Sequence, residues 1–205
     1  MIRLKFFSPK NKIIHIVFLI VSAFCISCNF ASPYSNLIKR ELKYGGQVND
    51  LIMGFKFGMS KDLYFDRCTE LNKSKIITSG GRNFSPEKIL TPKNPNGKKI
   101  KMSFFGTFDE QRILNGFDVR FNYLGWSNWN KEYQSPVLIE QIKDSVLKWF
   151  PGNNFLTVEI EGLNKKTHVK VDGNRRILLY IVDSKDVALK IDDLTNLKLE
   201  WKDLI

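Results

Sequence analysis

The chain has 205 residues, with 32 Lys and Arg against 21 Asp and Glu for a net charge of +11, and only three cysteines. Two of these, Cys25 and Cys28, lie in the opening run, so Cys68 is alone in the rest of the chain. That excludes an internal disulfide framework and requires an ordinary hydrophobic core, for which the roughly 155 residues after residue 50 suffice as one domain.

The opening "MIRLKFFSPKNK" holds Arg3, Lys5, Lys10 and Lys12 without an acid, and "IIHIVFLIVSAF" follows it. A basic start before a short apolar run is the pattern of a secretory signal peptide. The uncharged run over residues 13–28 is shorter than the roughly 20 residues a spanning helix needs, so residues 1–27 are expected to be a leader rather than a membrane span.

Cys28 follows Ile26 and Ser27, and this ending resembles the lipobox of bacterial lipoprotein signal peptides, although Cys25 stands where that family usually has Leu. The resemblance implies cleavage before Cys28 and acylation of its thiol and its new amino group, with the mature protein held in the bacterial cell envelope. Asn29 in the second mature position points to the outer membrane rather than the inner one. The C-x-x-C spacing of Cys25 and Cys28 would also suit a redox or zinc site, but an apolar leader supplies neither a folded context nor further ligands.

Residues 1–27 hold four of the 32 basic residues and none of the acids, so an excess of seven positive charges remains from Cys28 onward. In an exported protein this points to anionic lipid head groups or acidic envelope polymers, and nucleic acid is not an expected partner. Residues 28–50 mix Ser, Pro, Asn and a Gly pair and read as the lipidated cysteine plus a tether, with a mean span of about 25 Å if flexible, shortened where "NLIKREL" at residues 36–42 could form a turn or two of helix. The folded domain is expected over residues 51–205.

Within that domain, "LIMGFKFG" reads as a short strand ending at Gly58, after which Ser60 caps a helix with Tyr64, Cys68 and Leu71 at helical spacing. "FGMSK" at the start of this helix resembles small envelope lipoproteins built like the β-lactamase inhibitor protein and the small accessory lipoprotein of the outer-membrane barrel-assembly machine. The likeness covers roughly residues 55 to 72 and implies an α+β fold. Residues 74–99 read as a long basic loop, broken by one helical turn capped by Ser85 with Pro86 at its first position. Two strands follow around a turn at residues 109–111, and Asn115 with Gly116 marks either a turn or a bulge.

A second helix is capped by Ser135, starts on Pro136, carries Leu138, Ile139, Ile142, Val146, Trp149 and Phe150 on one stripe, and stops at Pro151 and Gly152. "FLTVEI", "THVKV", "RILLYIVDS" and "VALKI" read as strands, with "DGN" at residues 172–174 as a hairpin turn, and "LKLEW" alternates again. The order predicts an α+β fold: an antiparallel sheet with two main helices on one face, in a layout that suits two helix-plus-hairpin halves.

No catalytic, metal or cofactor motif emerges. His168 sits in a predicted strand without a serine elbow or a second histidine, and Asp183, Asp186, Asp192 and Asp193 lack the spacing and turn glycine of a calcium loop. A carboxylate pair across a cleft cannot be read from one sequence, so enzymatic activity stays open, with the balance against it. Two features stand above the background. In "NYLGWSNWNKEYQ", Tyr123, Trp126, Trp129 and Tyr133 alternate with amides, which suits a glycan or a protein hot spot. In "SGGR", two glycines precede Arg82 and could form an anion nest.

The leading expectation is a non-catalytic, lipid-anchored module that binds a protein partner. The alternatives are a glycan-binding module using Trp126, Trp129 and Tyr133, and a hydrolase with an unrecognised carboxylate pair.

Overall fold

The computed structural model describes residues 32–80, 85–92, 97–160 and 165–196, and residues 32–205 form one compact unit. The expected leader, Cys28, Arg82 and the "LKLEW" stretch lie outside the described residues.

The fold is α+β. Three helices, α1 (Pro33–Tyr44), α2 (Lys61–Lys73) and α3 (Ser135–Trp149), accompany β1 (Thr78–Gly80), β2 (Ser85–Leu90), β3 (Ile100–Phe108), β4 (Leu114–Tyr123), β5 (Leu156–Ile160), β6 (Lys165–Asp172), β7 (Arg175–Ile181) and β8 (Val187–Asp193). The strands make one antiparallel sheet in the order β1-β2-β3-β4-β8-β7-β6-β5. Helix α2 therefore precedes one four-strand meander and α3 precedes a second, and the meanders join along their last strands, with Val119 opposite Leu189. The halves are larger than the helix-plus-hairpin units expected. Among the described residues no helix is long and apolar enough to cross a membrane.

Alternation along the strands sorts the two faces. Phe117, Val119 and Phe121 on β4, Val187, Leu189 and Ile191 on β8, and Ile177 and Leu179 on β7 pack with Tyr64 and Leu71 of α2 and with Leu138, Ile142 and Val146 of α3. Both α2 and α3 thus lie on one face. Helix α2 starts where Ser60 Oγ accepts the Leu63 N–H at 3.3 Å, while the N-cap of α3 is Gln134, one residue before the expected Ser135. Ser135 is spent elsewhere, since its N–H donates to Ser184 O and its hydroxyl to Asp183 O.

The expected tether needs correction from residue 33 on. Tyr34 and Ile38 of α1 are buried against Val169, Val171, Leu178 and Leu194 on the face opposite α2 and α3. Beyond the helix, Val48 N–H donates to Asn174 Oδ1 at 2.6 Å and Arg175 Nη1 donates to Asp50 O at 2.8 Å. Tyr34, Ile38 and Glu41 fall on one stripe of the helix, and burying a Tyr and an Ile contributes roughly 1.5–3 kcal/mol each. A segment so held cannot be a free spacer.

Three further expectations change. Residues 51–58 form a short 3-10 turn at Ile52–Gly54 rather than a strand. The "long loop" contains β1 and β2, and Ser85 and Pro86 open a strand rather than a helical turn. Asn115 is a bulge: Thr107 pairs with Gly116 and Phe108 with Leu114, which leaves Asn115 as the extra residue.

Candidate functional site

Four aromatic residues were singled out between β4 and α3, and the structure separates them. Tyr123 ends β4 and is buried, with Tyr133 packed edge-on against it at 5.4 Å between centroids. Lys98 Nζ sits 4.8 Å from the centre of the Tyr133 ring and donates to Glu132 O at 2.6 Å. Burial, and then the neighbouring Tyr133 hydroxyl, raise the Tyr123 pKa. These two rings belong to the core.

Trp126 is half-buried. Its indole N–H donates to Ser184 O at 3.2 Å, and Lys185 Nζ lies 5.6 Å from its ring centre. Trp129 is different, with 85% of its surface exposed, and Leu124 of the same loop is 52% exposed. Trp126 and Trp129 thus differ in exposure, and Trp129 is the one whose ring stands free in solvent.

The loop that carries Trp129 is braced on both sides. Leu124 N–H donates to Lys99 O at 3.1 Å, Gln134 Nε2 to Asn128 O at 2.9 Å, Glu132 N–H to Asn130 Oδ1 at 3.2 Å and Tyr133 N–H to Asn130 O at 3.1 Å. Gly125 allows the chain to pass the Tyr133 ring, because a Cβ there would come within 2.9 Å of Tyr133 Cε1. A large apolar ring is therefore held in water by a fixed frame. Exposing it forgoes the roughly 2 kcal/mol or more that burial of such a ring provides.

A second feature lies on the sheet face that carries α1. That helix covers the β6 and β7 side, while Asp118 and Arg120 of β4, Lys190 of β8, Tyr180 of β7 and Phe105 of β3 line a shallow depression of about 320 Å3. Burial raises the Asp118 pKa, Lys190 and Arg120 oppose the shift, and Asp192 adds to it. Alternation in "FDVRFNY" puts Asp118 and Arg120 on the wet face, but which strand lies beside them depends on the β4 and β8 pairing, which has no local signal.

The remaining candidates have structural partners. His168 is 9% exposed, its Nδ1 lies 3.0 Å from Thr157 Oγ1, and Phe155 packs edge-on against it. Asp183 Oδ1 accepts the N–H groups of Lys185 and Asp186, both at 2.8 Å, and Asp186 accepts from Asn122. Asp192 binds Arg176 at 2.7 Å, and Asp193 accepts from Asn174 and Thr195. Among the described residues no three of His, Cys, Asp and Glu converge in a way that could hold a metal ion. Comparison with protein families, with curated proteins and with solved structures finds no match for this chain.

Proposed function

We propose that the chain is a lipid-anchored envelope protein whose folded unit binds a protein partner through the loop over residues 124–134, with Trp129 as the anchor side chain. The observation that carries this reading is the 85% exposure of Trp129 on a loop held by hydrogen bonds on both sides. Tryptophan is among the side chains most enriched at binding hot spots, and a loop backbone already braced by hydrogen bonds loses little conformational freedom when a partner covers it. Leu124 of the same loop is also exposed, as are Lys99, whose carbonyl accepts the Leu124 N–H, and Lys131.

The anchor in this reading is Cys28. Only residues 29–32 separate it in sequence from Pro33 of α1, so the chain free to act as a spacer is far shorter than residues 28–50. Two or more acyl chains on that cysteine would hold the protein stably, where one alone would not. A Cys28→Ala variant is expected to leave the membrane fraction and to lack the acyl mass. Retention with unchanged mass contradicts the anchor.

The binding claim is tested by passing envelope extract over immobilised residues 32–205. A protein retained by the native surface and lost with Trp129→Ala, a change worth about 2 kcal/mol or more at a hot spot, supports it. An identical retained set with Trp129→Ala contradicts it.

A further inference from the structure

A separate opening lies between α2 and the first three strands. Strand β2 pairs with β3 only from Glu87↔Ser103 to Leu90↔Ile100, and the ladder stops where Pro86 follows on the open side. Proline has no N–H to continue it. From Phe104 to Phe108, β3 is thus paired with β4 alone, and the backbone N–H of Gly106 donates to the Tyr64 hydroxyl of α2 at 3.0 Å. The parted strands and the helix above them enclose a groove of about 500 Å3, within the roughly 300–1,000 Å3 usual for small-molecule sites.

One wall of the groove is aromatic. Phe108 and Tyr64 line its inner side, and Phe65 and Phe105 stand at its rim, 53% and 42% exposed. Among the described residues Lys61 is the only charged one on the walls. Its ammonium lies 5.6 Å from the ring centre of Phe108 and 6.0 Å from that of Phe65, and it has no carboxylate partner among the described residues. Cys68 adds no negative charge to oppose it, since burial raises the thiol pKa even though the Tyr64 hydroxyl donates to the sulfur. Thr69, Asn72, Thr78 and Ser79 add neutral polar groups. A slot with an aromatic wall, neutral polar groups and one lysine outside any ion pair is complementary to a molecule with an apolar body and one anionic end.

We propose that this groove binds a small amphiphilic anion, its ring or short chain between Phe65, Phe105 and Phe108 and its acidic group on the Lys61 ammonium. The claim is independent of the reading of Trp129, which lies on a different loop.

The test uses residues 32–205, a compact unit in which Cys68 is the only thiol. The probes are 8-anilinonaphthalene-1-sulfonate and its uncharged analogue N-phenyl-1-naphthylamine, followed by fluorescence. The sulfonate is expected to bind at one saturable site, at least tenfold tighter than the neutral analogue. Lys61→Ala should remove that advantage while leaving the neutral probe unchanged, and saturating sulfonate should slow alkylation of Cys68 by iodoacetamide several-fold. Trp129→Ala should alter none of these values. Equal affinity for the two probes, a sulfonate affinity indifferent to Lys61→Ala, or Cys68 alkylation unaffected by saturating sulfonate each overturns the proposal.

Discussion

The ammonium of Lys170 lies 2.7 Å from Oδ2 of Asp172, and the lysine side chain is completely buried. Asp172 also takes the N–H of Asn153 at 2.8 Å and Nη2 of Arg175 at 3.2 Å, while Lys170 donates to Asn153 O at 2.6 Å. Arg175 in turn lies over the Phe150 ring at 4.4 Å. One carboxylate thus fastens the turn after α3 to the β6 and β7 hairpin. Removing one member of a buried pair strands the other charge, at a cost of about 3–5 kcal/mol. Asp172→Asn should lose that much in chemical denaturation. Lys170→Met should lose less, because Asp172 keeps Arg175 and the Asn153 N–H.

Helix α1 is an integral part of the core on its side of the sheet. Ile38 is 2% exposed among Val169, Val171 and Leu178, and Glu41 accepts the Gly173 N–H at 3.1 Å. Ile38→Ala is expected to cost about 2–5 kcal/mol of unfolding free energy, and Leu42→Ala, on the exposed side, to stay within about 0.5 kcal/mol. Equal effects from the two would mean that α1 is not docked in solution.

At Gly106, β3 passes close to α2. A Cβ at that position would stand 2.6 Å from Leu114 Cδ1 and 2.8 Å from Tyr64 Cε2, so Gly106→Ala forces both neighbours to move. The expected loss is about 1–3 kcal/mol, read as a lower denaturation midpoint with an unchanged slope.

The pKa of His168 is lowered by burial first and by Lys143 next, with Glu140 opposing. The unfolded chain, with a histidine pKa near about 6.5, takes up a proton before the folded one does. Stability from this group is therefore present above that value and is lost as pH falls below it toward the lower folded pKa. Glu41 and Asp183, both lowered in pKa, add their loss only in the carboxylate range below. His168→Gln should flatten the profile between neutrality and about pH 5. A slope unchanged by the substitution would place its source elsewhere.

How far these features could be read from the sequence depended on how local their causes are. The stripe of α3, the Ser60 cap of α2 and the DGN turn each depend on neighbours within one or two turns, and all three were expected. A turn or two of helix was legible in "NLIKREL", but the full length of α1 and its docking were not, because its buried side rests on Tyr34, Ile38 and a glutamate in a stretch whose Ser, Pro and Gly content reads as a linker. Strands β1 and β2 were missed because each is short, holds a Gly or a Pro and few apolar residues, and forms only through pairing with a neighbouring strand. The aromatic cluster was visible as a cluster. Its division into core tyrosines, a half-buried Trp126 and an exposed Trp129 was not, because Ser184 and Lys98, which decide it, are distant in the chain. Alternation places Phe105 on the wet face, but the groove it lines with α2 exists only because β2 parts from β3.

The most direct measurement is photocrosslinking in the intact cell from benzoylphenylalanine placed at position 129, with the same residue at position 65 as reference. Trp129 as the partner anchor predicts one discrete protein adduct from position 129 and none of the same mass from position 65. No adduct from position 129, or the same adduct from both positions, would contradict the account.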